Sequence, residues 1–192
     1  MTRPRSTHER PRPRRQPARR LHERSAGRRR HRPPPAEVDG TVFSRLADLP
    51  HYSEDLDHDD ALPEVARDLR EAVADADAVL LVSPEYNGSL PGVLKNAVDW
   101  VSRPRGSAAI VGKPAAVIGA SGSPRGALWA REDGIKVLKV AGAIPLEDTV
   151  GVGSAFQAFA EGRLADDELD TQLRSLVNNL VDAVGQGSRA AA

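Results

Sequence analysis

The chain has 192 residues, enough for one domain with one sizeable core, and no cysteine, which excludes disulfides and thiolate metal sites. Its formal net charge of zero hides two unlike parts: residues 1–36 hold 13 arginines against two acids, a net of +11, while the remainder holds 14 basic and 25 acidic side chains, a net of −11. No apolar run approaches bilayer length, and the basic N-terminus has no apolar stretch behind it, so neither a membrane span nor a secretory signal is expected. A cysteine-free chain suits a reducing compartment, and a cytoplasmic location is the expectation.

Residues 1–36 are dominated by Arg and Pro, with almost no apolar periodicity, and read as disordered. From Ala36–Gly40 onward the pattern changes. Asp39–Phe43 reads as a short strand, and Ala47–Tyr52 and the acidic Glu54–Asp60 as loop. Leu62–Ala74 spaces Val65, Leu69 and Val73 four apart with Pro63 in the first turn, the pattern of an amphipathic helix. Ala78–Val82 is a continuous apolar run, read as a fully buried parallel strand. Pro91–Ser102 reads as a helix with Val93, Leu94, Ala97, Val98 and Val101 inward.

Pro114–Gly119 is a second buried strand, Ala120–Gly126 a loop of small residues, Ala127–Ala141 a helix and Ile144–Val150 a weaker strand. Asp166–Val184 carries a stripe of Leu169, Leu173, Leu176, Leu180 and Val184, starts with acids and is expected to end at Gly185, leaving residues 187–192 as a disordered tail. Strands alternating with helices predict an α/β domain with a parallel sheet over residues 37–186.

Ligands of open parallel sheets sit in the loops at the carboxyl ends of strands. Two loops are so placed. The first is Ser83-Pro84-Glu85-Tyr86-Asn87-Gly88-Ser89. Its Pro and Gly fix an irregular backbone that turns N–H groups outward, Tyr86 adds an aromatic wall and Asn87 a donor and acceptor. Read by composition alone it is an ordinary strand-to-helix turn. The second is Ser121-Gly122-Ser123-Pro124-Arg125-Gly126, which does not fit a dinucleotide-binding glycine fingerprint.

The whole string Ser83-Pro-Glu-Tyr-Asn-Gly-Ser-Leu-Pro-Gly-Val-Leu-Lys-Asn-Ala-Val-Asp-Trp-Val-Ser102 resembles the signature of the NAD(P)H-dependent FMN reductases, a flavodoxin-like family related to quinone, chromate and azo-dye reductases. The resemblance implies a three-layer α/β sandwich with parallel strand order 2-1-3-4-5. It implies FMN as cofactor, NAD(P)H as co-substrate and hydride transfer through FMN to flavin, a quinone or another small electron acceptor. It places Pro84, Glu85, Tyr86 and Asn87 against the flavin, with Gly88 and Ser89 as close supports. Less closely, it adds Ser121 and Gly122 of the second loop. It implies no catalytic acid or nucleophile and no metal, and it implies a homodimer or homotetramer. His51 and His58 in their acidic loop read as solvated, and Trp100 as packing or a subunit contact.

The family's domain begins with a central strand and a phosphate loop resembling Gly-Ser-Leu-Arg-x-x-Ser-x-Asn, which holds the FMN phosphate. Residues 1–40 contain neither. Read one base later, the codons of Arg15–Glu23 can spell Gly, Ser, Leu, Arg, Ala, Gly, Ser, Thr, Asn. Those of His8–Arg14 can spell an apolar strand, and those of Arg24–Arg32 an Ala/Leu-rich helix. Residues 1–36 are therefore expected to be an out-of-frame replacement of the first βα unit, with strand 1 missing or corrupted. Weak or absent FMN binding follows. The alternative is a degenerate, flavin-free domain acting as a binding protein through its basic arm. Nucleic acid is the less favoured partner, because the arm lacks interleaved aromatics and its acidic domain repels phosphate.

Overall fold

The computed structural model describes residues 38–160 and 163–190, with side chains given up to residue 159 and over 163–186. The expected readings for residues 1–37 lie outside the described residues. The described chain holds four helices, α1 (Glu64–Asp75), α2 (Gly92–Val101), α3 (Leu128–Ala141) and α4 (Asp167–Ala190). Its strands are β1 (Val79–Ser83), β2 (Pro114–Ala120), β3 (Ile144–Val152) and a short antiparallel pair, β4 (Phe159–Ala160) with β5 (Arg163–Leu164). Two 3₁₀ turns, Leu46–Asp48 and Glu54–Leu56, interrupt the loop before α1.

The main sheet is parallel, in the order β1-β2-β3. These strands take the places of the third, fourth and fifth of the expected order. Register pairs Leu81 with Val117 and Ser83 with Gly119, so β1 and β2 end level with one another. Alternation along β2 then divides the core. Ala115 and Val117 join Leu81 in the larger cluster, with Leu94, Ala97, Trp100, Ala130 and Leu138. Ala116 and Ile118 face the other way, toward Leu169, Leu173, Leu176 and Leu180 of α4. Helices thus cover both faces, as βαβ connections require. In α3, Gly134 lets the helix lie close to the sheet: a Cβ there would meet Val117 Cγ1 at 3.0 Å and Leu81 Cδ2 at 3.3 Å.

Four details differ from the sequence reading. Asp39–Phe43 is not a strand, and Val42 is exposed. An extended segment becomes a strand only by pairing, and no described strand lies beside it. Ala78–Val82 is not buried throughout: Leu81 is buried, but Leu80 is 42% and Val82 55% exposed. Both pair with the β2 residues that α4 covers, Ala116 and Ile118, yet no described helix reaches across β1 on that face. Val93 points outward and Asn96 is buried in its stead. Finally, α4 passes through Gly185 to Ala190, so part of the expected tail is helical.

A polar cluster fixes the loop before α1 on α2. Buried Asn96 accepts from Tyr52 N at 2.8 Å and donates to Pro50 O at 2.9 Å. Trp100, fully buried, donates to the same carbonyl at 2.9 Å and meets the edge of Tyr52 at 5.0 Å between ring centres. Trp100 is thus a packing residue. Arg70 pairs with Asp57 at 2.7 Å and donates to Trp100 O at 2.9 Å. Burial raises the Tyr52 phenol above its ordinary value, against the hydrogen bond from Arg103. Asn96→Ala strands the Tyr52 N–H and the Pro50 carbonyl together. The expected loss is about 1–3 kcal/mol. It is read as a fall in Tm of roughly 2–4 °C per kcal/mol in thermal melts followed by circular dichroism.

Candidate functional site

Both expected loops emerge side by side from the carboxyl ends of β1 and β2, because Ser83 and Gly119 are register partners. Ser83 is buried and its hydroxyl donates to Pro84 O at 2.7 Å. Beyond it the chain makes a tight turn. Tyr86 N donates to Ser89 O at 3.1 Å and Ser89 N to Tyr86 O at 3.2 Å. Asn87 and Gly88 both have positive φ, 53° and 75°. That is a type I′ turn, for which Asn-Gly is a strongly favoured pair. The turn's own hydrogen bonds leave the Asn87 and Gly88 N–H groups at its tip unused, with Asn87 exposed and Tyr86 56% exposed beside them.

Glu85 has a different task from its neighbours. Its Oε2 accepts from Trp129 N at 2.9 Å and Ala130 N at 3.3 Å. Ala127, at the N-terminal end of α3, is left-handed (φ 56°) and offers no capping side chain. The carboxylate of Glu85 therefore satisfies open N–H groups of that helix and meets its positive dipole end. Ser89 makes the second tie, donating from Oγ to Asp133 Oδ2 at 2.6 Å. Gly88 makes the third: a Cβ there would stand 3.2 Å from Trp129 Cε3. The first loop is thus fastened to α3 at three points.

The second loop is closed on itself and on β3. Ser121 N donates to Val152 O at 3.0 Å, and Ser121 Oγ donates to Ser123 O at 3.2 Å while accepting from Ala127 N at 3.1 Å. Gly122 lies against Phe156, with the Cε2 atom 2.9 Å from where a Cβ would be. Arg131 donates from Nε to Gly126 O at 3.0 Å and from a terminal nitrogen to Thr149 Oγ1. Burial holds its guanidinium below the ordinary arginine value, against the nearby Glu132 and Glu85 carboxylates.

The structure therefore brings all eight expected residues to one end of the sheet. Tyr86, Asn87, Gly88 and Gly122 present surface or backbone there. The side chains of Glu85, Ser89 and Ser121 are spent on holding the loops. Sequence reading missed Trp129, Asp133 and Phe156, which complete the rim. Trp129 and Asp133 are four apart on α3, so they share a face, but nothing local showed which loop that face meets. A cavity of about 500 Å³ lies further along, lined by Gly151, Gly153, Ser154, Gln157, Asp166 and Gln172 among others. None of the eight residues lines it, so it is not the site the loops form. Among the described residues no cluster of His, Asp and Glu is arranged to hold a metal, and no helix is long and apolar enough to cross a membrane.

Outward amides, an exposed aromatic and a floor of small residues suit the edge and face of a flat heteroaromatic ring. The fold defines a flavodoxin-like α/β domain with both loops at the carboxyl end of its sheet. The chain belongs to the NADPH-dependent FMN reductase family, whose model matches residues 14–157 and so takes in part of the Arg/Pro-rich segment. It is 39% identical to an NAD(P)H-dependent FMN reductase of Pseudomonas aeruginosa, over 68% of this chain and 73% of that one. It is 56% identical to a 2-hydroxy-1,4-benzoquinone reductase of a Burkholderia species over 79 residues, 41% of this chain, so the match spans only 42% of that relative. Among solved structures it is similar to a flavoenzyme NAD(P)H:(acceptor) oxidoreductase, FerB, from Paracoccus denitrificans, at 35% identity and a TM-score of 0.67, over 74% of this chain and 78% of that one. None of these supports the reading as a flavin-free binding protein.

Glu85→Ala should lower stability by about 1 kcal/mol, the usual cost of losing a helix cap, with Glu85→Gln losing less because it keeps an acceptor. Urea melts of the protein without added flavin read this. Unchanged melts for both variants would show that Glu85 does not tie the loop to α3.

Proposed function

We propose that this domain binds FMN at the paired loops and uses NAD(P)H to reduce a small acceptor, either free flavin or a quinone. The observation that carries the reading is the Tyr86–Ser89 turn, which leaves its tip amides out of its own hydrogen bonds and is fastened to α3 at three points. FMN, when bound, would supply the hydride-transfer chemistry between the two substrates. The chain binds and orients. Pro84, Tyr86, Asn87 and Gly88 would contact the ring, while Glu85, Ser89, Ser121 and Gly122 hold the two loops in place. No side-chain acid, base or nucleophile is required.

The reading extends to a homodimer or homotetramer in the cytoplasm. The lack of cysteine supports the compartment, and exposed Phe156 and Val93 support burial against a second copy. It also takes residues 1–36 as an out-of-frame stand-in for the first strand and phosphate loop. The composition of that segment supports this, as does the bare flank of β1, where Leu80 and Val82 have no described cover.

Two proteins test this: the chain as it stands and one with the frame of codons 8–32 restored. FMN titration followed by absorbance and flavin fluorescence should give weak, sub-stoichiometric binding for the first and a yellow stoichiometric complex oxidising NAD(P)H for the second. A stoichiometric active complex from the chain as it stands would sink the frame reading. Failure of the frame-restored chain to bind FMN would sink the reductase reading.

A further inference from the structure

An acidic domain that accepts an anionic dinucleotide needs a local cation, because residues 37–192 carry a net of −11. Two arginines stand by the loops. Arg131 is committed inward, to Gly126 O and Thr149. Arg125 is not. It is exposed, it forms no ion pair among the described residues, and its guanidinium carbon lies 4.4 Å from the centre of the Trp129 ring. The same indole abuts Gly88 of the first loop. The arginine is therefore carried on the rim of the site by an aromatic that is itself held against the Tyr86–Ser89 turn.

Stacking leaves the in-plane N–H groups of a guanidinium free at its edge, in the fork that fits phosphate oxygens. It also reduces the side-chain freedom that binding would otherwise have to freeze out. We propose that Arg125, stacked on Trp129, binds a phosphate of the nicotinamide dinucleotide and sets the affinity for that co-substrate. The proposal rests on NAD(P)H being the reductant, and it adds the residue that takes the anion. The phosphate is either the bridging pyrophosphate or the 2′-phosphate of NADP.

The test is calorimetric titration of NADP⁺ and of NAD⁺ into the full chain with FMN present, at low and moderate ionic strength. Arg125→Gln should raise the Kd for NADP⁺ roughly tenfold or more, the size of one lost charge-assisted hydrogen bond. It should also flatten the salt dependence. Arg125→Lys should recover part of the affinity, and Trp129→Leu should fall between wild type and Arg125→Gln. A loss confined to NADP⁺ assigns the 2′-phosphate, and an equal loss with NAD⁺ assigns the pyrophosphate. Because Trp100 is buried, quenching of the exposed Trp129 fluorescence gives a second readout that does not depend on turnover.

Wild-type affinity in Arg125→Gln, or no saturable dinucleotide binding by the wild type, overturns the proposal. Should Arg125→Gln melt early, Arg125→Lys decides: affinity and salt dependence equal to the wild type's, for NADP⁺ and for NAD⁺ alike, in a folded Lys variant, joined to unchanged binding by Trp129→Leu, likewise overturns it. FMN binding is measured separately. Weak FMN binding by this chain is the outcome the frame reading expects and does not bear on Arg125; only its absence in the frame-restored chain counts against the reductase reading.

Discussion

The site depends on one constraint, the parallel register that makes Ser83 and Gly119 neighbours. It brings the loops after β1 and β2 out at the same level and leaves them free to touch. A shift of one residue would exchange the faces of β1, sending Leu81 to the side of Leu80 and Val82. The Glu85 carboxylate then reaches from the first loop to the helix that follows the second. A carboxylate at a helix N-terminus contributes both hydrogen bonds and a favourable charge–dipole term, together on the order of 1 kcal/mol. That is small beside the core, but it acts on the geometry of the loops directly. The Glu85 carboxylate thus braces the loop it belongs to against α3.

The layer on the far side of the sheet is uneven. α4 covers β2 and β3 through Leu176 and Leu180, while β1 keeps Leu80 and Val82 in solvent. Fully burying one such side chain contributes roughly 1.5–3 kcal/mol, so two half-bare ones forgo a sizeable part of a domain's net stability. An uncharged edge strand is also a pairing hazard that proteins ordinarily blunt with Lys, Pro or a covering element. Ala78–Val82 has none of the protective residues within it. A strand of this composition is what a sheet interior uses. That is the physical reason for regarding β1 as made for a neighbour that the described residues do not include.

How far the sequence could be read followed from the range of the interactions. The turn was legible because Asn-Gly specifies its own backbone through positive φ at both positions. The helices were legible because their apolar spacing is local, as with Val65 and Leu69 in α1. What failed was non-local. Asp39–Phe43 has strand-like residues but no described partner. Gly185 lacks the left-handed turn that would make it a stop, and α4 runs through it. Val93 and Asn96 exchanged roles because the buried amide answers two groups in the Pro50–Tyr52 loop, more than forty residues away. Of the site, the loops were readable and their partners on α3 were not, since Trp129 and Asp133 lie 44 residues from the Glu85 and Ser89 they meet.

The two halves of a flavin site make different physical demands. The ring asks for shape and a few amides, which a local turn supplies once it is braced. The phosphate carries up to two negative charges, and the described domain is already strongly acidic. Long-range repulsion therefore works against the cofactor unless a cradle of N–H groups or cations meets the phosphate at close range. Arg131 does not serve, because its donors are turned to Gly126 and Thr149. On the proposed reading, the two loops by themselves would orient a flavin better than they would retain it. Affinity in such a site comes chiefly from the end of the ligand that the signature does not touch.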